Sequence, residues 1–170
     1  KEENFFMKAG HYLEEAVAKF YADETGVEII KRSAEDFLIV NDSRDYLRVS
    51  PDRTFWLPNM PHSNDNKGIV ECKTTQMSID EDSIPQHWFC QLQYQLGTAE
   101  MYQGALAWLT QGREFGYKNY DLDRDFYGFM LEECDKFYID YIIGKAEPPS
   151  ISEEDVMLRS PRSAAGKSVE

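Results

Sequence analysis

A short segment from Gly68 to Thr74 constrains the fold of this chain more than any other part of the sequence. Its centre, Ile69-Val70, is β-branched, which favours an extended strand inside a sheet. Side chains alternate between the two faces along a strand, so Glu71 and Lys73 project from the same face. The segment therefore predicts a buried strand that carries a carboxylate and an ammonium group side by side.

A second carboxylate lies on a predicted turn, where Asp52 follows Pro51. If this turn lies beside the strand, Asp52, Glu71 and Lys73 form one site. Carboxylate oxygens bind hard cations such as Mg²⁺, and the bound metal activates water next to a phosphodiester. The backbone carbonyl of Cys72 is a further candidate oxygen ligand. These residues point to metal-assisted phosphodiester hydrolysis.

The spacing of apolar residues predicts the other elements of the chain. In chain order they are a helix over Glu3–Thr25, strands over Val27–Lys31, Phe37–Val40, Tyr46–Val49 and Thr54–Leu57, a helix over Pro85–Gln103, strands over Gly104–Leu109 and Glu114–Tyr120, and a helix that Asp121 or Asp123 caps and that reaches about Ile143. This order predicts an α/β fold with a central mixed β-sheet flanked by helices.

Two predicted helices carry polar residues that can reach the site. In the first helix, Glu14 lies about a quarter turn from the centre of the apolar stripe, whereas Glu15 lies nearly opposite it. In the second helix, Gln91 and Gln93 flank the apolar face on either side, and each can border a cleft. Glu14 is thus the acidic residue of its pair that we expect at an internal site.

Two arginines flank the Asp52 turn, Arg48 and Arg53, and both are candidate phosphate contacts. Each candidate residue also has a common structural explanation. A Glu-x-Lys triplet is usually an ion pair, Pro-Asp is usually a turn, and the arginines can pair with the many carboxylates. The combination and order of the features favour the functional interpretation.

Composition excludes several classes of protein. The chain has 170 residues, which fits one domain with a core of ordinary size. Its formal net charge of -13 argues against a protein that coats nucleic acid nonspecifically. No stretch is apolar enough to span a membrane, and no glycine-rich phosphate loop predicts a nucleotide cofactor. The chain begins at Lys1 rather than Met, which leaves open whether residues precede it.

The three cysteines, Cys72, Cys90 and Cys134, contain no Cys-x-x-Cys pair. Neither a zinc ribbon nor a four-cysteine iron–sulphur cluster is therefore expected. The histidines His11, His62 and His87 also lack the spacing of a zinc site. An odd number of cysteines favours reduced thiols and an intracellular location.

Four motifs occur in a characteristic order. They are Gly10-x-x-x-Glu14, Ser50-Pro51-Asp52, Gly68-Ile69-Val70-Glu71-Cys72-Lys73, and Pro85-x-x-Trp88-x-x-Gln91-x-Gln93. Together they resemble the YqaJ-like viral recombinase family, which includes the lambda-type phage exonuclease and lies within the PD-(D/E)xK nuclease superfamily. Arg53 stands where that family usually has Gly, and Trp88 stands in the place of a Tyr.

The resemblance implies a restriction-endonuclease-like core and Mg²⁺-dependent hydrolysis of linear double-stranded DNA, commonly 5′ to 3′, with Mn²⁺ as an alternative metal. It implies that Asp52 and Glu71 bind metal, that Glu14 is an outer or second-metal ligand, and that Lys73 positions or activates the water. Gln91 would support Lys73 or the phosphate.

Further expectations concern contacts with DNA, partner proteins and domain organisation. We expect Arg48, Arg53 and Gln93 to contact DNA. The family implies a single-strand-annealing partner protein, sometimes a ring-shaped trimer around DNA, and the cytoplasm of a bacterial or phage-infected cell. The predicted organisation is a nuclease domain over residues 1–148 and a polar, flexible tail over residues 149–170.

The residues leave two other functions open. One is a repair or restriction-type endonuclease of the same fold. The other is a non-catalytic module that binds DNA or protein and keeps the fold. The presence of Asp52, Glu71 and Lys73 together argues against the second.

Overall fold

A computed structural model describes residues 4–30 and 38–152 of the chain. Its helices and strands, in chain order, are α1 (Phe5–Thr25), β1 (Glu28–Ile30), β2 (Ile39–Val40), β3 (Arg48–Val49), β4 (Arg53–Trp56), β5 (Lys67–Thr75), α2 (Gln86–Thr98), β6 (Gln103–Thr110), β7 (Glu114–Asp121) and α3 (Arg124–Phe137). A π-helical segment, Tyr138–Ile143, follows α3. The predicted positions Glu3, Lys31 and Phe37, and most of the predicted tail, lie outside the described residues.

Five strands form one mixed sheet in the order β1-β4-β5-β6-β7. β5 and β6 are parallel, whereas the other neighbouring pairs are antiparallel. Parallel neighbours need a crossover connection, and α2 lies in the one between β5 and β6. β2 and β3 pair separately as a two-stranded ribbon. The predicted α/β fold with a central mixed sheet is confirmed.

Different helices cover the two faces of the sheet. Val17, Ala18 and Tyr21 of α1 pack against Val70 and Cys72 of β5. On the other face, α2 contributes a second apolar cluster, formed by Ile69, Trp88, Leu92, Leu96, Leu106 and Trp108. The strand β5 is therefore covered on both faces, which explains its continuous apolar centre. The alternation along the strand directs Glu71 towards α2.

The second helix ends at Thr98, so the prediction that it reaches Gln103 is wrong. Glu100 adopts a left-handed conformation with φ of 55°. The Met101 N–H donates to the Leu96 carbonyl, and the Glu100 N–H donates to the Gly97 carbonyl. These two bonds form a Schellman C-cap. The sequence did not reveal it, because the left-handed position holds Glu rather than the usual Gly.

Two other predicted helix boundaries are confirmed. Gly26 has a φ of 73° directly after α1, and its N–H donates to the Ala22 carbonyl at 2.8 Å. At the start of α3, Asp123 Oδ1 accepts the Phe126 N–H at 2.9 Å. Gly26 and Asp123 thus satisfy backbone groups that a helix end leaves unpaired.

The chain divides into two compact units, one ending at Leu131 and the other starting at Glu132. In the second unit, the rings of Phe137 and Tyr141 lie 5.1 Å apart. The predicted domain boundary at residue 148 stays a prediction. Among the described helices, none combines the length and apolar character needed to cross a membrane.

Candidate active site

The pairing of β4 with β5 places Asp52 beside the middle of β5. Arg53, the first residue of β4, pairs with Val70, so Asp52 lies just beyond the end of the ladder. The Cys72 N–H donates to Asp52 Oδ2 at 2.8 Å. An extended residue directs its N–H and C=O to the same side of its strand. The Cys72 carbonyl is therefore directed to the same edge as Asp52.

Glu71 is the centre of a buried hydrogen-bond network and is only 2% exposed. Its Oε1 accepts hydrogen bonds from Lys73 Nζ at 2.7 Å and from Gln91 Nε2 at 2.6 Å. Lys73 Nζ also donates to Gln91 Oε1 at 2.9 Å. A buried carboxylate is costly unless such partners compensate for lost water. The network fixes the positions of Glu71 and Lys73 relative to α2.

Gln95 belongs to this network, although the sequence analysis did not single it out. Its Nε2 donates to Glu71 Oε2 at 2.8 Å. Its Oε1 is the one buried side-chain polar atom without a hydrogen-bond partner among the described residues. The available signal was spacing, because Gln95 lies four residues after Gln91 and so shares its helix face.

Gln93 does not have the role predicted for it. It is fully buried, its Nε2 donates to the Asp121 carbonyl at 3.0 Å, and its Oε1 accepts the Asp123 N–H at 2.7 Å. Two residues along a helix correspond to about 200°, so Gln93 faces away from Gln91. With both ends of its amide bonded to backbone, Gln93 anchors the connection between β7 and α3, and the prediction that it contacts DNA is wrong.

Glu14 extends from α1 to the Asp52 turn. Its Oε1 lies 3.3 Å from His11 Nδ1, and its Oε2 lies 3.9 Å from Arg53 Nη1. Arg53 Nη1 also donates to the Asp52 backbone carbonyl at 2.6 Å. As the stripe of α1 predicted, Glu14 is the member of the Glu14–Glu15 pair that makes these contacts.

The surroundings of Asp52 disfavour its charged form. Burial, followed by the negative charge of Glu71, raises the pKa of Asp52 to about 7, and the charge of Glu14 adds to this effect. The Cys72 N–H and the Lys73 ammonium act in the opposite direction. A carboxylate whose pKa is raised by burial and by neighbouring carboxylates is typical of functional sites.

The Cys72 side chain lies on the opposite face of β5, in the core beneath α1. Burial, with the nearby charge of Asp52 and then Glu71, raises the pKa of the Cys72 thiol far above its usual range. Because the thiolate is the reactive and ligating form, the thiol of Cys72 is inert here. Any role of Cys72 in the site belongs to its backbone. All three cysteines of the chain are free.

A cleft of about 1020 Å³ opens beside Asp52 and Arg53. Other residues along it include His11, Glu14, Lys19 and Ser50. Arg48 is exposed on β3, where its Nε donates to the Asp45 carbonyl at 2.9 Å. Among the described residues it makes no contact with the carboxylates of the site, so its predicted contact with DNA stays a prediction.

The oxygen atoms at the site suit a hard divalent cation. Asp52, Glu71 and the Cys72 carbonyl are the kind of ligands that Mg²⁺ and Mn²⁺ take. In the part of the chain that the structure describes, no group of three His, Cys, Asp or Glu side chains is arranged as a ready metal site. The Glu71 oxygens instead accept hydrogen bonds from Lys73, Gln91 and Gln95. These residues fit a divalent metal by their oxygen atoms and their negative charge. To bind the metal, Glu71 would give up one of these three hydrogen bonds.

Solved exonuclease structures share the fold of this chain. The alkaline exonuclease LHK-Exo from Laribacter hongkongensis has a TM-score of 0.53 and 16% identity, over 85% of this chain and 77% of that chain. Its complex with dAMP gives the same values. A phage-related exonuclease from Haemophilus somnus 129PT has a TM-score of 0.55 and 16% identity, over 86% of this chain and 76% of that chain. At this identity, the similarity establishes the restriction-endonuclease-like fold.

The sequence identifies the family. No curated protein matches the chain at a significant level. The family model for the YqaJ-like viral recombinase domain matches residues 1–102, and this range includes the Asp52 turn, β5 and α2. The match covers more than half of the 170 residues and confirms the predicted resemblance. The chain belongs to the YqaJ-like viral recombinase family.

Proposed function

We propose that this chain is a metal-dependent DNA exonuclease that hydrolyses phosphodiester bonds of linear double-stranded DNA, 5′ to 3′, in phage-type recombination. The observation that carries the proposal is the pair of buried Glu71 and partly accessible Lys73, which Gln91 bridges beside Asp52. A Glu71–Lys73 pair that served only stability would not need a second carboxylate, Asp52, at its edge, because that carboxylate adds repulsion. The arrangement instead suits a site that receives a cation.

The residues divide the chemistry between them. Asp52, Glu71 and the Cys72 carbonyl would hold Mg²⁺ or Mn²⁺, which would supply charge stabilisation at the phosphate and acidify water. Lys73 is partly accessible, with 19% of its side chain exposed. Held by two acceptors, its ammonium group orients the attacking water or a phosphate oxygen. Gln91 fixes Lys73 and Glu71 together, so both groups keep their geometry before DNA arrives.

The cleft beside Asp52 gives a DNA strand a route to the site. Lys19 and Arg53 supply positive charge along a cleft that also contains carboxylates. Phosphate contacts of this kind position a strand without reading its sequence. The exposed guanidinium of Arg48 is proposed as a further phosphate contact. The acidic chain as a whole would then bind DNA weakly, except where these basic side chains and the metal neutralise the phosphates of the DNA.

The structural neighbours support the choice of DNA and of exonucleolytic cleavage. Two of them are exonucleases, and one structure is a complex with dAMP. A deoxynucleoside monophosphate is the product expected when single nucleotides are released from a DNA end. By family membership we also propose an intracellular location, a single-strand-annealing protein as partner, and assembly into a trimer.

Digestion of end-labelled duplexes tests this function. We expect release of nucleotides from linear duplex in Mg²⁺, a dependence on a 5′ phosphate, no cleavage of closed circular DNA, and no activity in chelator. Glu71→Gln should abolish cleavage without unfolding the protein, whereas Glu24→Ala, an exposed position on α1, should retain it. Full cleavage by a folded Glu71→Gln variant would refute the proposal. Cleavage of closed circles would instead support an endonuclease, and a failure to bind metal or cut DNA would support a binding module.

A further inference from the structure

Arg53 places a side-chain cation among the carboxylates of the site. Its side chain is only 19% exposed, and a guanidinium keeps its charge in proteins. A cation at this depth needs acceptors that replace water. The Asp52 backbone carbonyl supplies one at 2.6 Å, and Glu14 Oε2 lies 3.9 Å away. Arg53 is therefore built into the site rather than extended into solvent.

The same contacts engage Glu14. One of its oxygens lies within ion-pair distance of Arg53 and the other within that of His11. Asp52, in contrast, directs its carboxylate to the backbone of β5, and Glu71 directs its carboxylate to α2. The acidic groups thus separate into two sets. Asp52 accepts the Cys72 N–H and interacts electrostatically with Glu71, whereas Glu14 is paired with the Arg53 guanidinium.

The charges of the site favour one divalent ion over two. When all three carboxylates are ionised, Glu14, Asp52 and Glu71 contribute three negative charges, and Lys73 and Arg53 offset two of them. One divalent cation reverses the remaining negative charge. Enzymes that use two metal ions hold them about 3.5–4 Å apart, so a second ion between Asp52 and Glu14 would lie against the Arg53 guanidinium and be repelled.

We propose that Arg53 takes the place of a second metal ion, so that the site binds a single divalent cation and Glu14 serves as the counter-ion of Arg53. This inference rests on the proposed metal-dependent nuclease function. It assigns Arg53 a part in transition-state charge stabilisation that a second metal would otherwise have. It also assigns Glu14 a positioning role, through Arg53, rather than direct metal binding.

Mn²⁺ binding to the full chain tests the inference without relying on activity. Isothermal titration calorimetry should give one Mn²⁺ per chain for the wild type, and electron paramagnetic resonance should show an uncoupled ion. Arg53→Ala frees Glu14 and should raise the stoichiometry to two, with spin coupling between neighbouring ions. Arg53→Lys keeps the charge and should keep one ion. Arg113→Ala, which removes an exposed arginine that has no proposed role, is the matched control and should also keep one.

Glu14→Gln separates the two roles of Glu14. In the wild-type background it should leave the Mn²⁺ stoichiometry at one, whereas in the Arg53→Ala background it should return the stoichiometry from two to one. Two coupled ions in the wild type, or a single ion in a folded Arg53→Ala variant, would overturn the inference and leave the nuclease proposal intact. Absence of Mn²⁺ binding by the wild type would refute both proposals.

Discussion

Replacing Asp52 with Asn should stabilise the metal-free protein at pH 8, even though it removes a proposed metal ligand. Asn is similar in shape, and its amide oxygen can accept the Cys72 N–H as Asp52 Oδ2 does. The substitution therefore removes a charge while it preserves the local hydrogen bond. The charge of Asp52, which is buried beside Glu71, should destabilise the folded wild type. The variant lacks this charge and should therefore be more stable.

The raised pKa of Asp52 sets the size and sign of the effect. Burial and Glu71 raise this pKa from its ordinary 3.8 to about 7. Between these two pH values the folded protein holds a proton that the unfolded chain has released, so wild-type stability falls as the pH rises. This loss of wild-type stability is absent below pH 3.8 and complete above about pH 7. At about 1.4 kcal/mol for each pH unit, the largest loss in the free energy of unfolding is about 4 kcal/mol.

Thermal unfolding in chelator at pH 4, 6 and 8 measures this difference. For a chain of this size, each kcal/mol corresponds to roughly 2–4 °C in Tm, so the Tm of Asp52→Asn should exceed that of the wild type by roughly 10 °C at pH 8. The two should converge at pH 4, and Mg²⁺ should raise the wild-type Tm alone. Asp65→Asn, at an exposed position in the short 3₁₀ helix Asn64–Asn66, should show no such pH dependence. An Asp52→Asn Tm at or below that of the wild type at pH 8 would refute the reasoning.

Three further predictions concern the network around Glu71 and the cysteines. Gln95→Met removes a hydrogen bond to the Glu71 carboxylate that is worth about 1.5–3 kcal/mol, and it also removes an unpaired amide oxygen that costs about 1–3 kcal/mol. Because these effects oppose each other, the free energy of unfolding in urea should change by no more than about 1 kcal/mol. A loss well beyond 3 kcal/mol would show that the carbonyl has a partner. Lys73→Met leaves Glu71 buried without its cation. The variant should lose cleavage of labelled duplex, and its free energy of unfolding in the same urea assay should fall by about 3–5 kcal/mol. Unchanged cleavage would contradict the role given to Lys73. Burial raises the pKa of Cys72, so in the native protein at pH 8 a thiol reagent should modify the half-buried Cys90 well before Cys72, and equal rates would contradict the burial of Cys72.

The sequence was sufficient where a local pattern and the packing require the same arrangement. In β5 the β-branched centre demands a buried strand, and strict alternation then places Glu71 and Lys73 together, as their hydrogen bond shows. Asp52 was placed correctly because the turn before β4 returns the chain alongside β5. The structure brings together the predicted Asp52, Glu71, Lys73 and Gln91, while their catalytic roles stay proposals.

The sequence was insufficient where tertiary contacts decide. The end of α2 depends on a left-handed Glu100, which local propensity does not favour but which the Schellman bonds stabilise. Gln93 was predicted at the edge of a cleft, because it flanks the apolar face of its helix. The connection between β7 and α3 covers it, and this contact is not encoded near Gln93. Gln95 was not predicted. Helical spacing places it on the face of Gln91, but only the sheet beneath α2 shows that its amide donates to Glu71.

The glutamines of α2 connect two parts of the structure. On one side of the helix Gln91 and Gln95 donate hydrogen bonds to Glu71, and on the other Gln93 is hydrogen-bonded to the backbone at Asp121 and Asp123. A helix moves as a nearly rigid body, so a shift of the β7–α3 connection displaces the amides that orient Glu71. Changes remote from the chemistry, such as loss of the Asp123 cap, should therefore reduce turnover before they unfold the sheet. We therefore expect substitutions near the start of α3 to affect the proposed site through α2.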